Sequence, residues 1–281
     1  MSVSEVAVGA APVRPHPTGL FLSELRLTFR RLRTLALIGG YGAVPILLGV
    51  VIKVTTASGG PNFISFVAQN GTFLVVVSLF FLLPLFLPVG VAVVAGDSFA
   101  GEAHLGTLRY LLVAPAGRVR LLGAKLFALL AFCLASAFVV YVTGVVIGAI
   151  LFPTGGMPLL TGTTISYAAG LWRGFLVATY VAASLTGIGA IGVFASTLTE
   201  APLGAMAATM AVPLISQILD VVPQIAVIHP YLPTHEWLTF ADLLRDPIFT
   251  PNLVHGLVVQ LVYVLVFVSA AYARMTTRDV A

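Results

Sequence analysis

Residues 124–152 read AKLFALLAFCLASAFVVYVTGVVIGAILF, with one charge, Lys125, at the second position and none after it. An α-helix rises about 1.5 Å per residue, so roughly 20 apolar residues cross the ~30 Å hydrocarbon core of a bilayer. This run is long enough to do so. It lacks the alternation of apolar and polar residues that a strand of a membrane barrel needs. Backbone groups in hydrocarbon find no water, so each N–H and C=O must be paired inside the segment, and a helix is the form that does this. The stretch therefore predicts a transmembrane helix.

Five more apolar runs flank it, at about 35–52, 72–95, 169–198, 202–219 and 255–273. Of the 281 residues 59% are hydrophobic and only 9% charged, and the mean hydropathy is +1.07. A soluble domain of this size needs far more charge to cover its surface. The expected fold is an all-α integral membrane protein with six transmembrane helices spread over residues 35–281. Residues 1–17, with Pro12, Pro15 and Pro17, read as a disordered tail. Over 18–34 Leu22, Leu25, Phe29 and Leu32 recur at helical spacing among Arg26, Arg30, Arg31 and Arg33, the pattern of an amphipathic helix lying on a membrane surface. The polar lead is too long for a secretory signal, so the first span is expected to be retained.

The net charge of +4 does not point to nucleic acid, because the basic residues flank apolar runs instead of forming one patch. With the N-terminus inside, Arg14, Arg26, Arg30, Arg31, Arg33, Arg109, Arg118, Arg120, Lys125, Arg274 and Arg278 fall on the cytoplasmic side. Only Lys53, Arg173 and Arg245 fall outside. Both termini are thus expected in the cytoplasm, with the protein in the plasma membrane. Arg30, Arg31, Arg33, Arg118, Arg120 and Lys125 read as inner-leaflet anchors, and Arg173 as a side chain that snorkels to the outer surface. Of the outer segments, 220–254 is the longest. Its run from His229 through Pro230, Tyr231, Pro233 and His235 to Trp237 suggests short helices at headgroup depth, with Tyr231 and Trp237 as anchors.

Between the second and third spans lies GDSFAGEAHLGTLRYLLVAPAGRVRLLG, residues 96–123. Ser98 is placed to cap a helix that carries Glu102 near its positive end. Thr107 is placed to cap a second, short helix with Leu108, Leu111 and Leu112 on one side, which Pro115 ends. A stiff helix outside the membrane, with an apolar ridge, suits a groove on a partner, and motion of that partner would pass directly into the two spans it joins.

This segment resembles the permease subunits of the ABC-2 family of ABC transporters. The resemblance rests on Asp97, Glu102, Gly106, Thr107, Leu108, Leu111, Leu112 and Pro115, followed by Arg118, Arg120 and Lys125. The six-span layout and the N-terminal amphipathic helix extend it over nearly the whole chain. The resemblance implies that 96–123 is a coupling helix docked on a separate ATP-binding subunit, and that the chain works beside a second copy or a related permease. His104 and Leu105 stand where many relatives carry more charge. The chain's lysines are Lys53, after Ile52, and Lys125, after Ala124. Neither sits in the Gly-Lys-Ser or Gly-Lys-Thr of a phosphate-cradling loop. ATP hydrolysis, with its ATP and Mg²⁺, is therefore expected on the partner, and no cofactor on this chain.

In that family spans one, two and five look like the pathway and the dimer seam, which makes Phe80, Phe81, Phe86, Met206, Met210 and Gln217 pathway candidates. A route lined by Met and Phe suits a hydrophobic or amphipathic substrate, and the expected direction is outward. Pro45, Pro84, Pro88 and Pro213 mark bends in these spans. Two alternatives differ in kind. A stand-alone secondary transporter or channel usually needs buried carboxylates, and mid-span ionisable residues are scarce here. An intramembrane enzyme needs convergent acid, base or metal ligands, and no such motif is visible. His229 and His235, separated by prolines, make a poor ligand pattern, so no metal is expected. Cys133, inside an apolar run, reads as a small buried hydrophobe.

Overall fold

Pro84 and Pro88, four residues apart, determine the course of the second apolar run. Proline has no N–H to give to the carbonyl four residues back, and its ring crowds that carbonyl. In the computed structural model, which describes residues 19–56, 67, 69–104, 106 and 115–277, the run does not form one helix. It forms a short apolar helix, α3 (Phe73–Leu82), and after the turn at 83–85 a second helix, α4 (Phe86–His104). The sequence reading of one span ending near residue 95 is corrected at both points: the run is broken, and its second half continues to His104.

Before them stand α1 (Gly19–Arg30) and α2 (Leu32–Thr56). After them come α5 (Pro115–Leu151), α6 (Tyr167–Ser184), α7 (Thr186–Leu198), α8 (Pro202–Asp220) and α9 (Pro251–Thr277). A two-stranded antiparallel ribbon, β1 (Met157–Pro158) with β2 (Thr164–Ile165), joins α5 to α6, with Met157 opposite Ile165. Six helices among the described residues are long and apolar enough to cross a membrane: Leu32–Thr55, Phe86–His104, Gly117–Leu151, Tyr167–Leu198, Pro202–Asp220 and Pro251–Thr277. The protein is an all-α integral membrane protein.

The fourth span, α6 with α7, is the hub. Of its apolar window 78% is buried, against 17% for α9, so α9 lies at the outside of the bundle. Helices gain little from hydrophobicity when the solvent is also hydrocarbon, and close approach through small residues replaces it. A Cβ at Gly192 of α7 would lie 2.7 Å from Ala95 Cβ on α4 and 2.8 Å from Thr209 Cγ2 on α8. A Cβ at Gly96 would lie 2.7 Å from the backbone N of Met206. Helices α4 and α8 therefore meet backbone to backbone at Gly96, and both press side chains onto the bare backbone of Gly192 on α7.

The fourth span is itself interrupted at Leu185, and the reason lies in the segment between α8 and α9. That segment forms two 3₁₀ stretches, Pro223–Tyr231 and His235–Leu244. Tyr231 stays 70% exposed, but Trp237 is buried and its indole N–H donates to Ser184 O at the interruption, 3.1 Å away. Tyr180 hydroxyl donates to Glu236 O at 2.8 Å, and Gln260 Nε2 to Pro233 O at 2.6 Å. The segment thus folds back among α6, α8 and α9, and Trp237 is a partner of the bundle instead of a headgroup anchor. Arg173, expected to snorkel, turns inward and donates to the carbonyls of Leu243 and Arg245, closing the second 3₁₀ stretch. Its five fixed donors suit backbone carbonyls that have run out of helical N–H groups.

Candidate functional site

Two constellations fall on residues that the sequence singled out. The first lies at the end of the bundle that carries α1. Helix α4 runs through Ser98 and Glu102 to His104, so these residues sit in its last two turns and not at a helix start. Ser98 Oγ donates to Ala95 O at 2.6 Å and lies 2.9 Å from Ser196 Oγ on α7, which replaces its expected capping role. Gly106 follows with φ +70°, a left-handed conformation that glycine adopts without steric cost and that commonly ends helices. Thr107, Leu108, Leu111 and Leu112 lie outside the described residues. Pro115 opens α5, where its missing N–H costs no helical bond.

Carboxylates near a helix C-terminus meet the negative end of its dipole, so Asp97 and Glu102 need cations. Arg31 and Arg33, at the joint between α1 and α2, both pair with Asp97. The Asp97 side chain is 7% exposed, while those of the two arginines are 38% and 44% exposed. Lys125 of α5 is more deeply enclosed, at 3%, with Glu102 at 2.6 Å, Glu24 of α1 at 3.3 Å and the Phe99 ring beneath its ammonium at 5.3 Å. Its charge is held by protein, not by the headgroup layer to which the sequence pattern assigned it. Arg118 donates to Met275 O at 3.0 Å, in the last turn of α9. Arg30 and Arg120 remain exposed. A cleft of about 710 Å³ opens beside this cluster, lined by Arg33, Asp97, His104, Glu200, Leu203 and Met206.

On α1 the apolar stripe is split. Leu22, like Leu32 at the start of α2, faces outward, Phe29 packs on the core, and Phe21 meets Phe127 edge to face at 6.0 Å. The buried residue of this helix is Glu24, directed at Lys125. Amphipathicity read from the sequence identifies a polar and an apolar side, but in lipid the apolar side need not be the one that faces protein.

The second constellation is the seam between α4 and α8. Phe80, Phe81 and Phe86 cluster at the break and are 40%, 53% and 55% exposed, the first two packed edge to face at 5.8 Å. Gln217 Nε2 donates to Pro84 O at 2.8 Å and to Pro213 O of its own helix at 3.2 Å. Met206 lies toward the other end of the seam, against Gly96, and Met210 is half-buried between them on α8. The pathway candidates are thus spread over α3, α4 and α8. Sequence reasoning missed Tyr41, whose hydroxyl donates to Phe86 O at 2.9 Å from α2. The available signal was a phenol facing a proline-broken span, since a buried hydroxyl seeks an orphan carbonyl.

At the opposite end of the bundle, His235 Nδ1 lies 2.6 Å from Asp220 Oδ1, and Ser216 Oγ lies 2.6 Å from Thr234 Oγ1, fastening the returning segment to α8. A model of the family described as ABC-2 family transporter protein matches residues 29–199, from the last turn of α1 through α7. Among curated proteins none matches the chain.

Proposed function

The chain belongs to the ABC-2 transporter family, and from that premise we propose that it forms the translocation pathway of an exporter for hydrophobic or amphipathic substrates. It is a permease subunit, and the family supplies membrane subunits that do not themselves act as enzymes. In this reading a separate ATP-binding subunit, carrying ATP and Mg²⁺, docks on residues 96–123, with Asp97, Glu102, Gly106, Thr107, Leu108, Leu111, Leu112 and Pro115 at or next to the contact. A second copy of the chain, or a related permease, completes the pathway. The protein sits in the plasma membrane with both termini in the cytoplasm, in keeping with the distribution of Lys and Arg.

The observation that carries this reading is the ionic lock at the α1 end. The docking segment takes in the last turns of α4, which carry Glu102, and the first turns of α5, on which Lys125 follows at once, and those two side chains are bonded to each other. A displacement of the segment is therefore delivered to α4 and α5 together, and through Glu24, Arg31 and Arg33 to α1 and α2. Phe80, Phe81, Phe86, Met206, Met210 and Gln217 then line the α4–α8 route that this displacement opens.

The test is co-purification with an ATP-binding subunit, followed by substrate-stimulated ATPase and transport in proteoliposomes. Leu108→Asp should abolish association and stimulation while leaving the isolated permease folded. Transport at full rate by the permease alone, driven by an ion gradient, would refute the proposal.

A further inference from the structure

Gln217 supplies what Pro88 cannot. In an unbroken helix the N–H of residue 88 would donate to Pro84 O, but proline has none. The helical bond of Leu83 N to Leu79 O at 2.9 Å precedes the break, and that of Val89 N to Leu85 O at 3.1 Å follows directly after the missing one. The Pro84 carbonyl takes its donor from another span, Gln217 Nε2 of α8 at 2.8 Å. Resting on the permease reading, we propose that this bond is the release point of the α4–α8 seam. Gln217 covers the Pro84 carbonyl while the seam is closed. As the two spans part, the carbonyl becomes a hydrogen-bond acceptor in the pathway for a hydroxyl or ammonium group on an amphipathic substrate.

Three observations support a bond that is made and broken over one that merely fastens. First, the same Nε2 also faces Pro213 O at 3.2 Å, so on release the donor keeps an acceptor on its own helix. Only the carbonyl is uncovered, and water or substrate in an open pathway can meet it. Second, Pro213 lies four residues before Gln217, which places a bend point of α8 one turn from the contact. Third, the other side of the break is tied separately, by Tyr41 hydroxyl to Phe86 O at 2.9 Å, so α4 has a fixed attachment to α2 about which its α8 side can move. The exposed rings of Phe80, Phe81 and Phe86, within four residues of Pro84 along the chain, offer apolar surface suited to the rest of an amphiphile.

The test is a double-mutant cycle read by amide hydrogen exchange on the full chain in lipid nanodiscs, over a peptide covering 83–90. Gln217→Leu should speed exchange there roughly fivefold to tenfold, and Gln217→Asn, which keeps the donor on a shorter arm, by less. Pro88→Ala restores the N–H that α4 lacks. In that background Gln217→Leu should change exchange by less than about twofold, because the two substitutions act on one carbonyl. Equal acceleration in both backgrounds would mean that Gln217 acts through packing alone and would overturn the proposal, as would an unchanged rate in both Gln217→Leu and Gln217→Asn.

A second arm uses the assembled transporter. Pro88→Ala, whose restored N–H keeps the Pro84 carbonyl covered, should lower substrate-stimulated ATPase severalfold, and adding Gln217→Leu should not restore it. Full activity in Pro88→Ala would limit the bond to a fastening and overturn the release. If instead the unsubstituted chain shows no nucleotide-driven activity with any ATP-binding subunit, the permease reading fails, and the release fails with it. The exchange cycle, read without a partner, then still reports whether Gln217 acts through the Pro84 carbonyl.

Discussion

The α1 end of the bundle and its interior solve the same problem with opposite chemistry. Near the end, buried carboxylates are held by cations: Asp97 by Arg31 and Arg33, Glu24 and Glu102 by Lys125. Deeper in, where helices are interrupted, backbone carbonyls are held by neutral donors: Pro84 by Gln217, Phe86 by Tyr41, Ser184 by Trp237. The division follows from desolvation. A full charge far from water costs several kcal/mol even when paired, whereas an amide, phenol or indole N–H is cheap to bury once it has an acceptor. The charged end resists uncoupling of its helices, and the neutral interior joins them by bonds that can open one at a time.

The largest expected effect is at the charged end. Lys125→Met removes the ammonium that Glu24 and Glu102 share, which should destabilise the fold by ~3–5 kcal/mol, the range seen when a buried pair loses one member. Thermal unfolding in detergent should show this as a large drop in midpoint or a loss of monodisperse protein. Adding Glu24→Gln and Glu102→Gln should recover most of it, since neutral amides need no counter-charge. If Lys125→Met alone unfolds like the parent, the lock carries no weight and the transmission path drawn through it fails.

Next is Trp237→Phe in the interior. It keeps the ring but removes the N–H from Ser184 O, leaving a buried carbonyl unmet at ~1–3 kcal/mol. Exchange should quicken around 184–189, and the protein should still fold. A loss as large as that of Lys125→Met would mean that the interior breaks, and not the ionic lock, carry the stability of the bundle.

Much of this was legible in the sequence, and the parts that were not share a cause. The apolar runs gave five of the six spans nearly as they stand, because a helix is the way a lone segment pairs its backbone in lipid. The second run was misread because Pro84 and Pro88 were treated as kinks. Two prolines at spacing four remove successive donors along one side of a helix, and that breaks it. Gln217 and Phe86 were singled out, but as lining: their bonds are made to backbone carbonyls of distant segments, which side-chain patterns do not encode. Lys125 was assigned to the lipid surface because positive charge next to a span usually marks topology. That Glu24 and Glu102 converge on it depends on α1 packing beside α5, a tertiary fact. The packing of Trp237 against Ser184 was hidden for the same reason, since an aromatic in an outer segment most often marks the interface.

The smallest effects should separate the two chemistries most cleanly. Tyr41→Phe removes one neutral bond to Phe86 O and should cost about 1 kcal/mol, with little dependence on salt. Arg33→Ala removes one of two cations from Asp97, but its side chain is 44% exposed and Arg31 remains, so the loss should be under about 1 kcal/mol and should shrink as ionic strength rises. Unfolding midpoints of both variants at low and high salt give the comparison directly. The difference between parent and Arg33→Ala should narrow with salt while that for Tyr41→Phe stays constant. If both narrow together, the contact at Phe86 O is coupled to the charged end, and the two regions are one network instead of two.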